Sequence, residues 1–228
     1  METKTRTRTR TEEEILHFVD HTDLRPTATE EDMKKLCDDA IAAGCAAVCV
    51  PSSYVGMVKR YSAGRVKVCT VVGFPNGYAS TAAKVVETVD AVIMGADEID
   101  MVVHLGWVKD CKYNRIADEI SQVRNACKNQ VLKVIVEACC LTEEEKIRLC
   151  QIVTEAGADY IKTSTGFAAG GATLEDVRLF ADHIGSSVKI KAAGGIKDFA
   201  MADALLSAGA RRLGSSNLVK KWLSEKGV

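Results

Sequence analysis

A chain of 228 residues with 47% hydrophobic and 27% charged residues can bury a sizeable core and has the composition of an ordinary globule. A formal net charge of -1 offers no basic field to a phosphate backbone, and 5% aromatics are too few for base-stacking platforms, so nothing points to a nucleic-acid partner. No apolar run approaches the ~20 residues of a membrane span, and nine cysteines without paired CxxC spacing fit a reducing, cytoplasmic compartment better than a zinc knuckle or disulfide framework.

The opening METKTRTRTR is polar and basic and lacks the apolar stretch of a secretory signal. It reads as a disordered arm over residues 1–10, ahead of one folded domain over 11–228 that starts with a short helix. Short runs rich in β-branched residues then recur at Phe18–Asp20, Ala46–Val50, Lys67–Phe74, Glu98–Val103, Leu132–Ala138, Tyr160–Thr165, Val188–Ala193 and Arg212–Gly214. The helical segments between them have recognisable starts. Thr29 with Asp32, Thr142 with Glu145 and Thr173 with Asp176 are spaced as capping boxes or their Asp variants, and Ser80 and Asp198 read as single N-caps. The helix exits repeat too: Ala43-Gly44-Cys45, Gly95-Ala96-Asp97, Ala156-Gly157-Ala158 and Ala208-Gly209-Ala210 each put a glycine just before a strand, as a left-handed helix end requires.

Strand–helix alternation implies a parallel sheet, and no linker interrupts the series. Eight such units in one chain match a (β/α)8 barrel, which typically has ~250 residues. An open dinucleotide-binding sheet would place GxGxxG after the first strand, and none is there.

Parallel barrel strands are buried on both faces and should be apolar throughout. Here Asp100, Lys133, Glu137, Lys162 and Lys191 interrupt them. A buried ion is costly unless paired or functional, and catalytic groups of barrels project from the C-terminal ends of several strands. Glu98 and Lys189, one pleat below Asp100 and Lys191, fit a structural or solvated role. Two lysines and a carboxylate suit amine catalysis: a nucleophilic amine must be uncharged, and burial or a nearby cation favours that state. Attack on a carbonyl then gives a Schiff base, while the carboxylate helps move protons. The last strands end in Thr163-Ser-Thr-Gly166, Ala193-Gly194-Gly195 and Gly214-Ser215-Ser216, small loops placed where many barrels bind phosphate. The pair His17-x-x-x-His21 has helical spacing but lacks the glutamate of a zinc-protease motif.

The segments Asp20-His-Thr-Asp-Leu-Arg-Pro, Ala-Val-Cys49-Val, Val-Gly-Phe74-Pro-Asn-Gly, Asp97-Glu-Ile-Asp100, Leu-Lys133-Val-Ile-Val-Glu137, Tyr-Ile-Lys162-Thr-Ser-Thr-Gly166-Phe and Lys191-Ala-Ala-Gly-Gly-Ile196 resemble the deoxyribose-phosphate aldolases, a class I family. They span residues 16–217. The resemblance implies reversible cleavage of 2-deoxy-D-ribose 5-phosphate to acetaldehyde and D-glyceraldehyde 3-phosphate, in deoxyribose phosphate catabolism, without metal or organic cofactor. It makes Lys162 the Schiff-base nucleophile. Asp100 and Lys191 act in proton transfer, with Lys191 also favouring the uncharged amine of Lys162. Asp20 and Lys133 line the same pocket, and Thr165, Gly166, Gly194, Gly195, Gly214, Ser215 and Ser216 hold the substrate and its phosphate. Family habit implies a homodimer.

The chain departs from the family at His104, where an Asn or aromatic is usual, and at Lys189, where a small or apolar residue is usual. Cys49 matches a thiol near the pocket in some members. Transaldolase-like or dehydroquinase-like barrels would keep one lysine without the Lys191-Ala-Ala-Gly-Gly partner. A non-catalytic phosphosugar-binding barrel would lose Lys162 or Asp100, and a pure interaction protein would leave the buried charges unexplained.

Overall fold

A computed structural model describes residues 9–227, so residues 1–8 of the predicted arm lie outside the described residues. Arg10, at the arm's end, donates to Asp203 Oδ1 at 2.7 Å. The elements run α1 Glu12–Leu16, β1 Val19–Thr22, α2 Glu30–Ala42, β2 Ala47–Val50, α3 Val55–Ser62, β3 Lys67–Val72, α4 Thr81–Ile93, β4 Glu98–Val102, α5 Leu105–Lys109 and α6 Tyr113–Ala126. They continue β5 Val131–Ile135, α7 Glu143–Glu155, β6 Tyr160–Lys162, α8 Leu174–His183, β7 Lys189–Ala193, α9 Phe199–Ser207, β8 Ala210–Ser215 and α10 Leu218–Lys226. The strands form a closed barrel in chain order, β1 through β8, and every neighbouring pair is parallel, including β8 with β1.

Local chemistry starts and stops the helices where the sequence predicts. Thr29 and Thr142 form full capping boxes with Asp32 and Glu145, and Thr173, Ser80 and Asp198 each accept a backbone N–H from the first turn. A third box, Thr11 with Glu14, opens α1. Gly44, Gly95, Gly157 and Gly209 all take positive φ at the predicted exits, a conformation that costs glycine little.

Four strands end earlier than the sequence suggests, β4 by the single residue Val103. β3 stops at Val72 because Gly73 turns the chain at φ 63°. β5 stops at Ile135 because Glu137 is left-handed at φ 53° and opens a 3-10 turn over Ala138–Cys140. β6 ends at Lys162, which puts the Thr163–Gly166 segment in the loop above it.

The apolar core lies between the barrel wall and the helices, with Met33, Ile99, Ile120, Val134, Phe180 and Leu213 among its fully buried members. The barrel interior contains a smaller apolar cluster of Ala47, Cys49, Cys69 and Val71. Charged side chains occupy much of the rest, and they define the site.

Candidate active site

Register brings the interrupting charges together. Asp100 on β4 lies opposite Lys133 on β5, and Lys162 on β6 lies opposite Lys191 on β7. All four are buried. Asp100 is the hub: Lys133 Nζ donates to its Oδ1 at 2.7 Å, while Lys162 Nζ and Lys191 Nζ reach its Oδ2 at 2.8 and 2.7 Å. Lys191 also donates to Asp20 Oδ2, and Arg212 donates to Asp20 Oδ1 at 2.6 Å. Glu98 closes the network below, 2.6 Å from Lys133 Nζ and accepting both Arg212 nitrogens at 3.1 Å. The structural role read for Glu98 from the sequence is therefore what it performs. Lys189 is exposed at the start of β7 and sits 5.7 Å from the Tyr160 ring centroid. The lysine beside Lys162 is Lys191.

The electrostatics follow from this packing. Burial pushes the pKa of Asp100 up, but Lys133, Lys162 and Lys191 outweigh it and hold the carboxyl well below its usual range. Asp20 is likewise held down against burial by Lys191, Lys133 and Arg212. Burial opposes the charges of Lys133 and Lys191, yet Asp100 and its fellow acids raise both. Three carboxylates, Asp20, Glu98 and Asp100, are thus matched by Lys133, Lys191 and Arg212. Lys162 is the one cation the cluster does not need for balance, and it touches Asp100 alone within it.

A cleft of about 520 Å³ opens above the network at the C-terminal ends of the strands. Lys162, Thr165, Gly166, Gly194, Gly195, Gly214, Ser215 and Ser216 line it. Asp20 and Lys133, expected on the pocket wall, are fully buried beneath it together with Asp100 and Lys191. The Thr165 hydroxyl donates to Glu137 Oε2 and accepts Phe167 N–H at 3.0 Å, which fixes the loop above Lys162. Ser215 Oγ accepts the N–H groups of Asn217 and Leu218 at 3.2 and 3.3 Å, so it opens α10.

Sequence reading missed several residues here. Arg212 sits in a weak Arg-Arg-Leu run, and only strand alternation could have turned one arginine inward. Arg25, Lys197 and Lys220 add cations to the cleft wall around Gly194–Gly195 and Ser215–Ser216. Arg25 stands in the Asp20-His-Thr-Asp-Leu-Arg-Pro segment and Lys220 beside Lys221, but neither setting, nor that of Lys197, singles out a cleft cation. His104 caps α5, its Nδ1 accepting Trp107 N–H at 3.3 Å, and stacks on Trp107 at 4.4 Å between centroids. It is structural. His17 Nδ1 meets Gly44 O at 2.8 Å after α1, while His21 lies in β1, so helical spacing does not relate the two.

A sequence model described as DeoC/LacD family aldolase matches residues 15–224. The chain is 52% identical over 206 residues to a deoxyribose-phosphate aldolase of Clostridioides difficile (strain 630), covering 90% of this chain and 94% of that protein. It is 51% identical over 213 residues to one of Streptococcus agalactiae serotype Ia, covering 93% and 96%. Among solved structures, the tetrameric deoxyribose phosphate aldolase of Aeropyrum pernix superposes with a TM-score of 0.87 at 32% identity, covering 95% of this chain and 92% of that one. A structure described as "QR15, an Aldolase" gives 0.88 at 39%, covering 93% and 97%.

Proposed function

The chain belongs to the DeoC/LacD family of aldolases, and on that premise we propose that it cleaves 2-deoxy-D-ribose 5-phosphate reversibly to acetaldehyde and D-glyceraldehyde 3-phosphate, with Lys162 as the Schiff-base amine. The observation that carries the reading is that Lys162 is the charge-surplus amine of the buried cluster and the lysine of that cluster that lines the cleft.

The chemistry then follows from placement. Lys162 Nζ attacks the aldehyde carbon of the open-chain sugar, water leaves, and the resulting iminium becomes an electron sink. Loss of the C3 hydroxyl proton breaks the C2–C3 bond and releases D-glyceraldehyde 3-phosphate. The enamine left on Lys162 is protonated and hydrolysed to acetaldehyde. Asp100, a standing anion 2.8 Å from Lys162 Nζ, steadies the developing positive charge and orients a water for proton transfer. Lys191 holds Asp100 in place from the other side. Gly194, Gly195, Gly214, Ser215 and Ser216 face the phosphate, aided by Lys197 and Lys220 on the same wall. No metal or organic cofactor enters these steps.

Nine free thiols support a reducing, cytoplasmic compartment, and no helix among the described residues is long and apolar enough to cross a membrane. We also read the chain as a homodimer. Val86, Val89 and Ile93 form an apolar stripe on α4 that is 68, 41 and 73% exposed, as an unpaired interface would be. Ile93→Glu should halve the mass read by light scattering, and an unchanged mass refutes this face as the contact.

The decisive test is borohydride reduction in the presence of acetaldehyde followed by peptide mass spectrometry. The expected result is one reduced two-carbon adduct, on Lys162, and its absence together with turnover in Lys162→Ala with an unchanged circular dichroism spectrum. An adduct on a different lysine in wild type would reject the assignment.

A further inference from the structure

Cys49 and Cys69 have no metal-binding spacing in the sequence, yet barrel register sets them side by side on β2 and β3. Both thiols are fully buried and share the small apolar cluster inside the barrel. Cys69 Sγ donates to Asp100 Oδ1 at 3.2 Å and accepts from Lys133 Nζ at 3.3 Å. The two sulfurs and an Asp100 oxygen all lie within 4.8 Å of one another. In a tetrahedral zinc site, metal–sulfur bonds of ~2.3 Å and metal–oxygen bonds of ~2.1 Å put ligand atoms roughly 3.5–3.8 Å apart. Closing the set around an ion therefore needs displacements of about an ångström, within reach of small χ1 changes.

We propose that Cys49, Cys69 and Asp100 form a site for a thiophilic dication such as zinc or cadmium, and that its occupation switches the enzyme off. Binding breaks two S–H bonds, forms two metal–sulfur bonds and sends both protons to solvent. The two thiolates cancel the two charges of the ion, so the net charge of the cluster does not change. That makes a dication tolerable among lysines, where an uncompensated one would be repelled. The ion competes with Lys133, Lys162 and Lys191 for Asp100, and turnover stops because the anion beside the Schiff base is withdrawn. Entry is from the cleft, since half-buried Leu24 both packs on the apolar cluster that contains the two thiols and lines the cleft. The site itself is independent of the aldolase reading; its inhibitory effect rests on the role given there to Asp100.

The test uses the full chain with its three exposed thiols removed (Cys111→Ser, Cys139→Ser, Cys140→Ser). Cadmium chloride is titrated in a non-chelating buffer, following the ultraviolet thiolate-to-metal charge-transfer band and, separately, the rate of aldol cleavage. The expected result is a band that saturates at one cadmium per chain, a rate that falls in parallel, and restoration of both by EDTA. Adding Cys49→Ala or Cys69→Ala should abolish the band and raise the inhibitory cadmium concentration about 10-fold or more, as loss of a coordination partner does. Cys49→Ala, which removes no hydrogen bond to Asp100, carries the test alone if Cys69→Ala does not fold. No band in the parent, or a band that survives Cys49→Ala, overturns the site. A saturating band without loss of rate overturns the switch and the role of Asp100 together.

Discussion

Gly195 and Gly194 are adjacent, and their surroundings give them different work. A Cβ on Gly194 would lie 3.2 Å from Gly171 Cα and 3.3 Å from Gly166 Cα, so its missing side chain lets three loop backbones meet above the strands. A Cβ on Gly195 would meet nothing nearer than Gly171 Cα at 3.9 Å, on the cleft wall. Gly195 at φ 71° is therefore the position where a charge can be introduced without a steric clash, the remaining backbone strain being smaller for aspartate, which is among the residues that visit the left-handed region. Gly195→Asp should raise KM for 2-deoxyribose 5-phosphate by about 10-fold or more and leave kcat/KM for unphosphorylated 2-deoxyribose within about 2-fold, because only the phosphate meets the new anion. Steady-state kinetics on both sugars decides it. Equal losses on the two would make the loop a structural turn and nothing more.

Elements are joined by a second buried ion pair, outside the cleft lining. Lys84 of α4 donates to Glu119 of α6 at 2.8 Å and to the Val102 carbonyl at the end of β4, and both side chains are fully buried. Burial lowers the pKa of Lys84 and raises that of Glu119 in spite of their pairing. The pair therefore fixes how α4 and α6 sit on the barrel more than it stabilises them. Lys84→Met alone should cost ~3–5 kcal/mol in urea unfolding because it strands Glu119 in the interior, while Lys84→Met with Glu119→Leu should recover most of that. A double variant as unstable as the single would show that the pair contributes net stability. The same contrast explains what was legible in the sequence. Helix starts such as Thr29–Asp32 and exits such as Gly44 are local chemistry between near neighbours, so the sequence displays them. Charged residues in apolar strands, Asp100, Lys162 and Lys191, stand out against their own run. Lys84–Glu119, Arg212–Asp20 and Cys49–Cys69 depend on barrel register and helix packing, which bring together residues with no local sign of each other. The left-handed Glu137 that cuts β5 short is a conformation a non-glycine residue rarely takes, so its sequence gives no warning of it.

At the scale of the whole molecule, most outward-facing strand residues pack apolar side chains against helices, while the ion cluster fills much of the inner face beside a small apolar cluster, and on β1 two neighbouring residues take opposite sides. Asp20 points inward to Lys191 and Arg212, and His21 points outward, fully buried. Burial, against the pull of Asp39 and Asp23, lowers the His21 pKa from 6.5 to about 4. The sign of the resulting pH dependence follows from proton counting. Between pH 6.5 and 4 the unfolded chain binds a proton at this position that the folded chain refuses, so stability is full above about 6.5 and is lost as pH falls toward 4. A gap of about 2.5 units corresponds to about 3 kcal/mol. Asp20 and Asp100 act in a separate window: their depressed pKa values contribute stability above about 3.9, the ordinary carboxylate value, which is lost only at more acidic pH. Urea unfolding of wild type at pH 7.5 and 4.5 should therefore show a loss that His21→Leu reduces by up to about 3 kcal/mol, with the variant no less stable than wild type at pH 4.5. If the variant loses as much stability as wild type over that interval, His21 is not the group that titrates there.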